Sequence, residues 1–264
     1  LPGETDSEIL FSSYLCHPSM VINELSGPTL LFEIIKYLET KNRKYSYRFL
    51  VGPETLGPIC YINKTEFIQN KNKIIHAFNL NCVLGDEWSY LPAQERSLTD
   101  SLIDILCRDK NLELKKYSYL ERGSDERQFN SPNVNLKMVS LMRSKYHEYP
   151  EYHTSLDNLE KLNLDNIRET IDIYLYLIEL IELDCRVTLR IKGEPFLNAL
   201  IGPSQGGQLH NNAERRDYLN LCAYADGRPL IEIMRICNVS RENGELIIQN
   251  LLNANIVRVE LIQN

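Results

Sequence analysis

Between residues 8 and 184 the chain alternates apolar strand-like runs with amphipathic helical ones, which constrains its fold more than any other feature. "EILFSSYLC" (8–16), "YSYRFLVGP" (45–53), "IIHAFNLNCVLG" (74–85) and "NLKMVSLMR" (135–143) read as strands, the second of them rich in aromatic and β-branched residues. "GPTLLFEIIKYLETK" (27–41), "SLTDSLIDILCRDKN" (97–111, capped by Ser97 or Thr99) and "NLDNIRETIDIYLYLIELIELD" (163–184) carry apolar residues at helical spacing. This order predicts an α/β domain over 1–192, a mostly parallel (mixed) sheet flanked by helices. In such sheets ligands bind beyond the carboxyl ends of strands. His17, Glu54 and Asp86 all fall just past predicted strand ends.

After Lys192 the texture changes. Residues 193–212 form a Gly-, Pro- and Asn-rich linker. Helical segments at 214–225, 229–238 and 241–255, with turns at Asp226-Gly227 and Val239-Ser240, precede a β-branched run at 256–262. That pattern predicts a winged helix-turn-helix domain over 213–264. From 193 onward there are six arginines, no lysine and eight acids. DNA affinity needs several cations on one face, so protein contact, domain packing or homo-oligomerisation is the expected role.

Elsewhere the composition excludes more than it assigns. A net charge of −7 over 264 residues argues against a generic nucleic-acid binder. No apolar run approaches the length of a membrane span. Seven cysteines without a Cys-x-x-Cys pair fit buried free thiols and a cytoplasmic location.

Four stretches could carry chemistry: "CHPSMVINELSGP" (16–28), "LVGPETLGP" (50–58), "RGSDERQF" (122–129) and "YHEYPEYHTSLDNLEKLN" (146–163). Singly each reads as a loop. Jointly they offer imidazoles and carboxylates of the kind a hydrolytic metal site needs, with an unligated carboxylate as base.

In order and content these motifs resemble the zinc-dependent aminopeptidases of the bacterial leucyl aminopeptidase type, a zinc exopeptidase (phosphorylase/hydrolase-like) fold. More narrowly they are similar to bacterial aminopeptidase-like proteins that join such a domain to a C-terminal winged helix. The resemblance covers nearly the whole chain. It begins abruptly at Leu1, ahead of which the family carries further elements, so the chain is expected to be N-terminally incomplete.

The resemblance implies that His17 and His153 ligate zinc and that Glu54 is the general acid/base. Three positions depart from the family pattern. Asn23 stands where the family has a bridging Asp, Thr55 where it has a second Glu, and Asn81 near its later Asp. Neutral groups cannot offset two dications, so one zinc is expected rather than two. The third ligand is left among Glu24, Asp125 and Asp86, with Glu24, beside Asn23, favoured. Arg127 and Arg143 are candidates to grip a substrate carboxylate, and Tyr152 joins them as a substrate-side residue of the Tyr-His-Thr motif. The expected activity is removal of an N-terminal residue from a small peptide or amino-acid conjugate. The rival expectation is an inactive relative that binds a ligand or partner.

Overall fold

A computed structural model describes residues 1–201 and 213–263. Its first sheet is built from β1 (Glu8–Tyr14), β2 (Ser46–Gly52) and β3 (Ile74–Leu80), with β1 central and parallel to both neighbours. The β1–β2 crossover is α1 (Ser26–Glu39); α2 (Leu56–Ile62) and α3 (Thr65–Asn70) connect β2 to β3.

Successive side chains of a strand point to opposite faces, and β1 shows this directly. Ile9 and Phe11 join Leu30, Ile34, Tyr174, Leu177 and Ile181 in the main core. Leu10 faces the other way, onto Tyr61, Phe67, Ala77 and Phe129. Both faces are therefore covered, as a sheet with helical crossovers requires. Each fully buried Leu, Ile or Phe contributes roughly 1.5–3 kcal/mol.

Beyond β3 the chain builds a second sheet. β4 (Trp88–Leu91) is central, between the two-residue β5 (Lys115–Lys116), parallel to it, and β6 (Ser140–Arg143), antiparallel to it. Between β4 and β5 lies α4 (Leu98–Lys110), which opens with a capping box in which Asp100 reciprocates the Ser97 cap. The short α5 (Glu126–Phe129) precedes β6, and α6 (Leu164–Leu183) follows it. A single parallel bridge, Phe78 to Val139, links the first sheet to the chain entering β6. The one sheet expected from the sequence is thus divided into a parallel and a mixed three-stranded sheet. Among the described residues the ladder between β3 and the chain entering β6 does not extend past that one bridge, and β6 itself pairs with β4, running antiparallel to it.

The third sheet is antiparallel, with β7 (Arg186–Leu189) between β8 (Asp226–Pro229) and β9 (Val257–Glu260). Around it lie α7 (Asn198–Ile201), α8 (Ala213–Ala223), α9 (Leu230–Cys237) and α10 (Arg241–Asn253). Most of the linker expected at 193–212 falls outside the described residues. Asp184 ties this part to the first: Oδ1 accepts the backbone N–H of Cys185 at 2.9 Å and of Ile231 at 3.0 Å. Tyr45 donates its hydroxyl to the Asp184 carbonyl and accepts the N–H of Ile262. Among the described residues no helix is long and apolar enough to cross a membrane.

Candidate functional site

β1 ends at Tyr14, and the chain bends through Cys16, His17 and Pro18 before a single π-helical turn, Val21–Leu25, leads into α1. Asp157 fixes that turn. Its Oδ1 accepts the N–H groups of Val21 at 3.1 Å and Ile22 at 2.7 Å, and its Oδ2 accepts that of Asn23 at 3.0 Å. These are the free donors at a helix start, where a carboxylate is doubly favoured by hydrogen bonding and by the dipole. Tyr149 donates its hydroxyl to the same Oδ2 at 3.1 Å. Asp157 is buried, so the loop 146–163 and the wall carrying His17 are locked together.

Asn23 and Glu24 form a neutral-plus-acid pair in this wall. Asn23 Nδ2 donates to Glu24 Oε1 at 2.6 Å, and Asn23 Oδ1 accepts from the Tyr14 hydroxyl and the Cys82 thiol. Glu24 Oε2 accepts the backbone N–H of Cys16 at 2.5 Å. Burial raises the Glu24 pKa, opposed by the Cys16 and His17 backbone N–H groups and the His17 charge.

Glu54 sits in a strained turn after β2. Thr55 has φ 63° and ψ −54°, and the N–H of Leu56 reaches the Glu54 carbonyl at 2.6 Å, a tight γ-turn. The turn is held from the 122–129 loop. Asp125 Oδ1 accepts the Thr55 N–H at 2.7 Å, Ser124 Oγ donates to Glu54 Oε1 at 2.9 Å, and Arg127 donates to Thr55 Oγ1 at 3.0 Å. Glu126, fully buried, anchors that loop by accepting from Gly123, Ser124, Asn79 and Tyr146. Burial, with the Glu54 charge adding to it, pushes Asp125 up to about 7, and its Oδ2 is buried with no hydrogen-bond partner.

The third wall carries His147, Tyr152 and His153. Both histidines have positive φ, as do Ser19 and Thr55 opposite, a concentration of strained backbone typical of a functional site. Tyr152 stacks on His153 with ring centroids 3.8 Å apart. His153 meets His17 at 4.2 Å between centroids. Desolvation lowers the His153 pKa, helped by His17 and His147, which favours the neutral imidazole a metal requires.

Of the residues expected from the sequence, His17, Glu54, His153 and Tyr152 occupy these loops. The expected ligands Glu24 and Asp125 do not join the donor cluster: Glu24 is turned onto the Cys16 backbone and Asp125 onto that of Thr55. Asp86 accepts instead from Asn166 near the start of α6. Arg143 is not a free clamp. It is 5% exposed and donates to the carbonyls of Gly85 and Asp86, to Glu169 and to Asn166, so it is structural. Arg127 is exposed at the Glu54 turn.

One donor escaped the sequence reading. The ligand atoms of Cys16, His17 and Glu54 all lie within 4.8 Å of one another, and among the described residues this is the one such metal-ligating group. Tetrahedral zinc places its ligand atoms roughly 3.4–3.8 Å apart, so small side-chain movements suffice. A thiol, an imidazole and a carboxylate fit a borderline-soft dication such as zinc. The sequence treated the cysteines as buried, yet Cys16 and Cys60 are exposed. A Cys-His pair just past a strand end was the available signal.

The fold and loops define an aminopeptidase-like α/β protein. The chain belongs to the DUF4910 family, a domain of unknown function, whose model matches residues 1–184. It is 38% identical over 185 residues to a Clostridium acetobutylicum protein named for polysaccharide biosynthesis and an aminopeptidase-like domain, a match covering 68% of this chain and 41% of that one. The chain therefore spans about two-fifths of this curated relative's length. A crystal structure of a C. acetobutylicum protein named for peptidase function superposes with TM-score 0.85 and 30% identity, covering 98% of this chain and 59% of the other. BSAP, a zinc aminopeptidase from Bacillus subtilis, superposes at 0.54 with 15% identity, covering 66% of this chain and 46% of that one. A Bacteroides thetaiotaomicron glutaminyl cyclase has a similar likeness, at 0.53 and 14% identity, so the shared fold does not select the reaction.

Proposed function

We propose that the chain is a metal-dependent, exopeptidase-like hydrolase using one zinc rather than two. Its substrate would be a small peptide or amino-acid conjugate, cleaved at the N-terminal amide. The observation that carries this reading is the convergence of Cys16, His17 and Glu54 donor atoms within 4.8 Å, with the His153 ring against His17. His17 and His153 would hold the ion. When bound, it supplies Lewis acidity toward the scissile carbonyl and activates water. Glu54 takes a proton from the attacking water and returns it to the leaving amine. Ser124 holds Glu54 Oε1, and the strained Thr55 turn fixes where the carboxylate points. Arg127, exposed at the Glu54 turn, would pair with a substrate carboxylate, and the Tyr152 ring would offer a flat apolar face beside His153.

The test is Glu54→Gln. Turnover of aminoacyl substrates should fall by about 100- to 10,000-fold with zinc content unchanged. Unchanged turnover would remove Glu54 from the mechanism.

A second, non-catalytic reading is favoured by Asn23. Its amide is engaged on both sides by Tyr14, Cys82 and Glu24, which fixes a neutral group at the cleft wall. An amino-acid-like ligand bound without turnover, insensitive to chelator, would select that reading.

For the C-terminal region the proposal is a winged helix-turn-helix acting in protein contact, including contact with a second copy, rather than on DNA. Three of its six arginines support this: Arg228 pairs with Asp226, Arg241 with Glu179 and Glu245, and Arg258 with Glu260. Paired guanidiniums offer little for phosphate neutralisation. A cytoplasmic location is part of the same proposal, resting on seven free thiols.

A further inference from the structure

A zinc held by two imidazoles needs a third protein ligand, and two of the carboxylates expected there are turned away. Glu24 accepts the Cys16 N–H with one oxygen and the Asn23 amide with the other. Asp125 accepts the Thr55 N–H, and neither acid lies in the donor cluster. Cys16 does. Neighbouring residues in a strand point to opposite faces, but Cys16 and His17 lie past the end of β1, where the chain bends, and their donor atoms converge.

We infer that the Cys16 thiolate is the third ligand of this metal site, completing His17 and His153 and leaving Glu54 as the base; this rests on the metal-dependent reading above. Charge supports the assignment. Asn23 and Thr55 bring no negative charge to the cleft. A thiolate and the Glu54 carboxylate together balance one dication. Cys16 is exposed, so an incoming ion can displace its proton to water without opening the core. Glu24 then acts as a positioning residue, since its bond to the Cys16 N–H aims the backbone that carries both donors. His153 lies outside the 4.8 Å set, and its exposed ring, packed on His17 with centroids 4.2 Å apart, would have to turn toward an ion held there. The metal preference follows from sulfur: zinc, cadmium and cobalt should bind, and magnesium and manganese should not compete.

Cobalt titration of the full chain in a non-thiol reductant tests this without using activity. Wild type and Cys60→Ser should both show visible tetrahedral cobalt bands plus a near-ultraviolet thiolate-to-cobalt charge-transfer band. Cys16→Ser should lose the charge-transfer band and bind zinc roughly 100-fold more weakly. Circular dichroism checks that the variant folds, and the exposure of Cys16 makes serine a mild change there. Visible bands without charge transfer, or charge transfer that persists in Cys16→Ser, would overturn Cys16 as a ligand while leaving the metal reading intact. No uptake of cobalt or zinc by wild type would instead overturn the metal reading, and this inference with it.

Discussion

Asp157 accepts the backbone N–H of Ile22 at 2.7 Å, and that contact joins the loop of His153 to the turn that follows His17. The same carboxylate serves Val21, Asn23 and Tyr149. Removing it leaves several buried donors without a partner, which costs more than the net value of the bonds. Asp157→Ala should destabilise the chain by about 3 kcal/mol. It should also weaken zinc binding, since His17 and His153 lose their common support. Denaturant midpoints and competitive zinc titration measure the two effects. A destabilised variant with wild-type zinc affinity would mean that the histidines are not held by this clamp.

Asp184 should make stability depend on pH. Burial pushes its carboxyl up to about 7, only partly offset by the N–H groups of Ile231 and Cys185, and Oδ2 has no partner. The native state thus holds its proton more tightly than the unfolded chain does. The associated stability is fully present below about pH 4 and is lost as pH rises through about 7. The loss is on the order of 4 kcal/mol. Asp184→Asn, which keeps an acceptor for both N–H groups, should flatten stability between these limits. A pH series of unfolding free energies for both proteins is the check, and identical slopes would show that Asp184 does not titrate there.

Arg143 should behave as a structural residue. Its guanidinium bonds two carbonyls, Glu169 and Asn166, and lies over the Trp88 ring at 4.9 Å. Lysine cannot reproduce that fork. Arg143→Lys should lower stability by about 2–3 kcal/mol and leave KM for carboxylate-bearing substrates unchanged. Arg127→Ala should do the reverse, raising KM with little effect on the unfolding midpoint. A raised KM in Arg143→Lys at unchanged stability would return Arg143 to the substrate side.

Much of this organisation was legible in the sequence because it rests on hydrophobic periodicity. β1, β2, α1, α4 and α6 lie where apolar spacing put them, within a few residues at each end. β4 was missed because "WSYL" is only four residues long, and β7 because "RVTL" closes against strands distant in sequence. α2 was hidden by Gly57 and Pro58 in its first turn. At the site, strand-end position picked out His17 and Glu54 but also Asp86, which the fold turns toward Asn166, and the roles given to the first two came from the family resemblance. Glu24 could not be excluded by spacing, because only the fold shows its oxygens taken by Cys16 and Asn23. Asp157 was invisible for a related reason: its role is to satisfy backbone donors, and no motif spacing encodes that.

The central claim is a metal centre at the meeting of Cys16, His17, Glu54 and His153. An anomalous-difference map from a crystal of this chain soaked in zinc tests it most directly. The account predicts one strong peak bounded by Cys16 Sγ and the His17 and His153 imidazoles, with Glu54 beside it. Two peaks would contradict the single-ion account, and a zinc-saturated crystal with none between these residues would contradict the metal centre itself.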